Sequence, residues 1–143
     1  MRDLKRSALI AQPPARIFAL INDIERYPEF VPWCTRAIIE SRTPQEIVAT
    51  LGVRRGPLRT EFTTRNALVR DESVHMRLVS GPFRTLDGVW TLIPIGEAGT
   101  RVELVLRFEF TSLFSGAVFE PLFEETAGSL LEAFVTRARS GIG

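Results

Sequence analysis

Apolar side chains recur along this chain with two different periods, and the changes of period divide it into three stretches. Residues 4 to 11 are short and apolar toward their end, as a first strand would be. Pro13 and Pro14 stop that strand and suit the opening turn of a helix. Ile17, Phe18, Leu20, Ile21 and Ile24 then fall at helical spacing, opposite Arg16, Asn22 and Asp23. This helix is expected to end before Tyr27-Pro28, because a residue preceding proline avoids the helical region.

From about residue 35 to 110 the period is two. Ile47, Ala49, Leu51 and Val53 share one face, and the strand ends at the turn signal Arg54-Arg55-Gly56-Pro57. Leu58, Thr60, Phe62 and Thr64 alternate with Arg59, Glu61, Thr63 and Arg65; Val74, Met76 and Leu78 alternate with Ser73, His75 and Arg77. Val102, Leu104, Leu106, Phe108 and Phe110 all face one way. Five or six strands joined by short turns predict a meandering antiparallel sheet with one buried and one wet side. Helical spacing returns at Phe119, Leu122, Phe123, Thr126, Leu130, Ala133 and Phe134, with Pro121 in the first turn or kinking a longer helix begun near Leu113. Only that last helix is long enough to cover the buried face. The prediction is an α+β helix-grip arrangement: a curved antiparallel sheet wrapped around a long C-terminal helix. It spans 1–143 as one domain, with room for a cavity between the layers.

Composition narrows the functional classes. The 143 residues are 45% hydrophobic and 24% charged, with a formal net charge of +1, which suits a folded chain and gives no general attraction to nucleic acid. No DNA partner is expected. The positive charge is nearly all arginine, with Lys5 the sole lysine, so a local phosphate-binding patch remains open. One cysteine excludes an internal disulfide and fits a reducing compartment. No apolar run reaches a membrane span, and Gln12-Pro13-Pro14 interrupts the start too early for a signal peptide. A cytoplasmic protein is expected.

Catalytic groupings are scarce. Cys34 and His75 are the sole candidates for a thiol–imidazole pair, and the alternation around Met76 turns His75 toward solvent. Cys34 reads better as a small apolar residue. No metal-ligand spacing or phosphate loop appears, and no cofactor is expected. Glu120, Glu124 and Glu125 read as a solvated helix face. Arg54, Arg55 and Arg59 cluster at one hairpin turn, either as a solvated tip or as contacts to RNA. The segment ERYPEFVPWC sets Tyr27, Phe30 and Trp33 among two prolines in a connection that would normally be polar. Phe62, Met76, Phe83, Trp90, Phe108, Phe110, Phe123 and Phe134 lie on or near predicted inward faces; all but Phe110, together with the loop rings Tyr27, Phe30 and Trp33, are the candidate ligand contacts. Either a packed core or a pocket for an apolar molecule satisfies this pattern.

Three segments together, DIERYPEFVPWC, SGPFRTLDGVWTLIP and FEF followed by AFVTRARS, resemble the RatA-like branch of the START/polyketide-cyclase superfamily. That branch also holds the mitochondrial coenzyme-Q-binding START proteins. The resemblance runs from about Lys5 to Ala138. It implies the helix-grip fold, a deep apolar cavity under the long helix, and no catalytic residue set. Tyr27, Pro28, Phe30, Pro32, Trp33, Gly81, Pro82, Phe83, Gly88 and Trp90 match its motifs, where they shape the loop and cavity. The leading functional expectation is non-enzymatic binding of a hydrophobic ligand, an isoprenoid quinone or similar lipid, in support of respiration. The alternative is a RatA-type toxin that binds the large ribosomal subunit and blocks subunit association. A third reading, a cyclase or aromatase, would need polar groups inside the cavity, for which Thr60, Thr64, Asn66 and Thr126 are the candidates.

Overall fold

The computed structural model describes residues 2–111 and 119–140. The first strand, β1 (Arg2–Ile10), leads through Pro13 into α1 (Pro14–Asn22), with proline at the start of the helix where its missing N–H costs nothing. Six more strands follow: β2 (Cys34–Thr43), β3 (Glu46–Arg55), β4 (Leu58–Val69), β5 (Ser73–Ser80), β6 (Phe83–Ile95) and β7 (Gly99–Phe110). All pair antiparallel in one sheet, ordered β1-β7-β6-β5-β4-β3-β2. Bulges in β2, between β4 and β5, and at the start of β6 bend the ladder. Alternation along β7 matches the expected pattern: Val102, Leu104, Leu106, Phe108 and Phe110 are buried while Arg101, Val105 and Arg107 are exposed.

The sheet's inner face is covered by α3 (Phe119–Gly128) and α4 (Leu130–Arg139), and α1 lies against β6 and α4. This is the predicted helix-grip architecture. The C-terminal helix is, however, two segments separated at Ser129, whose hydroxyl donates to the Thr126 carbonyl at 2.7 Å. Its buried stripe is Phe123, Thr126, Ala127, Leu131, Phe134 and Ala138. Phe119, Leu122, Leu130 and Ala133, expected on that stripe, are only half-buried. Pro121 falls in the first described turn of α3, and the start expected near Leu113 lies outside the described residues.

The segment after α1 departs from expectation. A single turn of 3-10 helix, Ile24–Arg26, runs into a second short helix, α2 (Tyr27–Phe30), and Tyr27 has helical φ −52° and ψ −42° despite preceding Pro28. Tertiary contact outweighs the local steric bias here. The Tyr27 ring is 5% exposed, its hydroxyl donates to the Ile21 carbonyl, and it meets Phe30 and Phe134 edge-on at 5.8 and 5.3 Å. Burying rings of this size is worth about 1.5–3 kcal/mol each, enough to hold the turn down.

Candidate functional site

The aromatic residues divide into two packed groups with a small space between them. In one, Phe83 stacks on Phe110 at 4.6 Å, and Phe123 meets Phe108, Phe83 and Phe62 at 4.8, 5.1 and 6.2 Å. In the other, Phe134 receives Trp90, Tyr27 and Phe30 at 5.2, 5.3 and 5.4 Å. The cavity between them has a volume of about 70 Å³. Tyr27, Trp33, Phe62, Met76 and Phe123 line it, as do Leu51, Leu86, Leu104, Leu106 and Leu130. Of the ten candidate ligand contacts, Phe30, Phe83, Trp90, Phe108 and Phe134 are therefore in ring packing or at the surface instead. The leucines were missed because an inward leucine carries no signal that separates lining from core.

Gly88 helps to make this space. Its added Cβ would lie 2.7 Å from the Met76 methyl and 3.0 Å from a Leu106 methyl, both lining residues. Thr64, Asn66 and Thr126 supply the polar lining. Thr64 donates to the Asn66 Oδ1 at 2.8 Å and Thr126 to the Leu122 carbonyl at 2.7 Å. Thr60, the fourth polar candidate, is not among the lining residues. Tyr27 is the single titratable lining side chain among the described residues, and burial pushes its phenol well above the ordinary tyrosine value.

A second, open concavity of about 540 Å³ lies outside, between the β3–β4 hairpin, α4 and the loop after α2. Phe30, Pro32 and Trp33 form its apolar side, Arg54 and Arg55 one wall, and Ser129, Glu132, Ala133 and Thr136 the helix side. Arg54 and Arg59 are opposite partners across the hairpin, both exposed, and neither guanidinium has an ion-pair or hydrogen-bond partner among the described residues. Arg55 is different: its guanidinium meets the Glu125 carboxylate of α3 at 3.2 Å. Ser129 and Glu132 could not be placed here from sequence, since only the folded topology brings α4 to the hairpin.

Other candidates have structural duties. Glu120 ion-pairs with Arg2 at 3.7 Å and accepts from the Phe110 N–H at 3.2 Å; Glu124 meets Arg2 at 3.3 Å. The expected solvated acidic face is thus a set of ties from α3 to β1, β3 and β7. His75 is half-buried on the outer face, with Nε2 2.7 Å from the Asp87 carboxylate. Cys34 is buried on the sheet's far edge strand, donates to the Arg36 carbonyl at 3.4 Å, and has its thiol pushed above the ordinary value by burial. Two intervening strands separate β2 from β5, so no thiol–imidazole pair forms. The described residues contain no group of three or more His, Cys, Asp or Glu placed to hold a metal. No described helix is long and apolar enough to cross a membrane.

Comparison with known proteins extends this geometry. The ribosome association toxin RatA of Pseudomonas aeruginosa is 39% identical over 140 residues, covering 98% of this chain and 97% of that protein. The mitochondrial coenzyme Q-binding protein COQ10 of Saccharomyces cerevisiae is 29% identical over 148 residues, covering 96% of this chain and 70% of that one. Among solved structures, the Zhui aromatase/cyclase from Streptomyces sp. R1128 superposes with a TM-score of 0.86 over 99% of this chain and 96% of its own, at 16% identity, a likeness of fold. The profile of the polyketide cyclase/dehydrase and lipid transport family matches residues 10–135, and to that family this chain belongs.

Proposed function

We propose that this protein associates with the ribosome, on its large subunit, through the arginine-walled groove. One observation carries the reading. Arg54 of the groove wall faces Arg59, which stands outside the groove's lining, across a strand pair, and two opposed like charges cost stability that a bound anion restores. Guanidinium groups suit phosphate, and the adjoining Phe30 and Trp33 give unpaired bases an apolar surface. The identity to RatA over nearly the whole chain supports the same reading. A role on ribosomes agrees with the cytoplasmic location expected from the sequence. Acid–base chemistry has little support, because it needs a group titrating near the working pH and the cavity's one candidate is Tyr27.

Sedimentation with purified ribosomes tests this. The protein is expected in the large-subunit fraction at low salt and to be released steeply as salt rises, with the R54S/R59S double variant released at lower salt. A protein that stays at the top of the gradient, or a double variant that sediments like the wild type, rejects the proposal.

A second reading, an apolar ligand such as a quinone or lipid held inside, is favoured by the rings around the cavity and by the relation to COQ10. Pockets for ligands of that size run to about 300–1,000 Å³, so the walls must part to admit one. Native mass spectrometry of protein purified from its own host decides it: a bound, extractable quinone or lipid is expected, and an empty protein rejects it.

A further inference from the structure

Trp33 belongs to two places at once. Its indole closes one side of the interior cavity and also forms a wall of the outer groove. The ring is pinned by donating its Nε1–H to the Ser129 Oγ at 2.9 Å, at the break between α3 and α4. Its carbonyl accepts the backbone N–H of Arg54 at 2.9 Å. The same residue therefore touches the cavity, holds the hairpin and meets the helix break.

The cavity's size gives this connection a consequence. About 70 Å³ is less than the roughly 150 Å³ known to hold a benzene molecule. Any aromatic or larger occupant must push a wall aside. The strands that line the cavity are paired to neighbours on both sides, and Tyr27 is locked by its bond to the Ile21 carbonyl. Trp33 sits on the loop before β2, held by one side-chain hydrogen bond, with the open groove behind it. It is the one lining residue that the cavity shares with the groove, so it has open space behind it. Moving it outward fills the groove and pulls on the carbonyl that fixes Arg54.

We propose that the cavity is an effector site for an apolar molecule, whose entry drives Trp33 into the groove and weakens anion binding at Arg54 and Arg55. The coupling is reciprocal: polyanion in the groove holds Trp33 inward and keeps the cavity closed. The proposal rests on the groove being the ribosome-facing surface for its biological meaning, but not for its physical test.

Toluene is a suitable probe, followed by NMR of the full chain. The Met76 methyl reports entry to the cavity, the Trp33 indole N–H reports the gate, and the Arg54 amide reports the groove. Sedimentation with ribosomes, with and without toluene, reports function. The expected result is a shift at all three positions and a loss of ribosome affinity of about fivefold or more, the lower end of ordinary coupling. If Met76 responds while Trp33 and Arg54 stay put, the cavity yields elsewhere and the coupling is wrong, with the ribosome reading untouched. If Met76 never responds up to toluene saturation, there is no effector site. If the protein binds no ribosomes in either state, the ribosome reading falls, and the Trp33 and Arg54 signals alone still decide the coupling.

Discussion

Tyr27 is the chain's only tyrosine, so its phenol can be followed by its own absorbance without interference from another. Burial comes first among the causes that raise its pKa from the ordinary 10.0, followed by the nearness of Cys34 and Asp23. A group whose folded pKa is raised contributes stability fully present below its unfolded value and lost as pH climbs beyond it. We expect no phenolate signal from the native protein at pH 10, and a stability that declines above that pH. Y27F should lose this alkaline slope and cost about 1–3 kcal/mol at neutral pH, because the Ile21 carbonyl is left without its donor. Phenolate appearing at pH 10 without unfolding would show the ring to be solvated. Gly81 is a second residue whose identity is fixed by its surroundings. Its φ is +144°, and a Cβ there would lie 2.7 Å from the Phe62 Cβ and 3.2 Å from its Cα. G81A should lower stability by roughly 1–3 kcal/mol in a urea titration; a neutral result would mean the β5–β6 turn shifts freely.

At the scale of elements, the β3–β4 hairpin predicts a trade between stability and binding. Replacing one of two opposed like charges removes a repulsion, so R59T should raise stability by about 0.2–1 kcal/mol while lowering ribosome affinity. A variant that loses both would show Arg59 to be structural. The terminal helices hang on Phe134, where Trp90, Tyr27 and Phe30 converge, so F134A should cost about 3–5 kcal/mol. Arg137 adds a tie from α4 to α2, its guanidinium 4.9 Å from the Phe30 ring and 3.2 Å from the Glu29 carboxylate. The strands were legible in the sequence because alternation along Val102 to Phe110 has no helical counterpart. The α3–α4 break and the helical Tyr27 were not. A serine after a glycine, or a tyrosine before a proline, is settled by what the side chain meets across the fold, and Ser129 meets Trp33 and Tyr27 meets Phe134 from far along the chain. The same limit applies to the site: rings could be assigned to the inner face, but which of them pack and which surround a space depends on how two helices seat on seven strands.

Across the whole molecule, the sheet order sets when the fold can be completed. Its first strand has a single neighbour, with Arg2 opposite Phe108 and Ile10 opposite Thr100. The other strands pair with the one just before or after them in the chain, so the meander from β2 to β7 can grow by hairpins as it emerges. Only β1 must wait. During synthesis it leaves the ribosome first and finds its partner last, after every intervening strand has been made. Until then the β7 edge has no cover, and Glu124 of α3 lacks the Arg2 guanidinium it pairs with. A chain cut short inside β7 would thus strand both ends, while slowing translation there would lengthen the time in which an open edge can meet another copy.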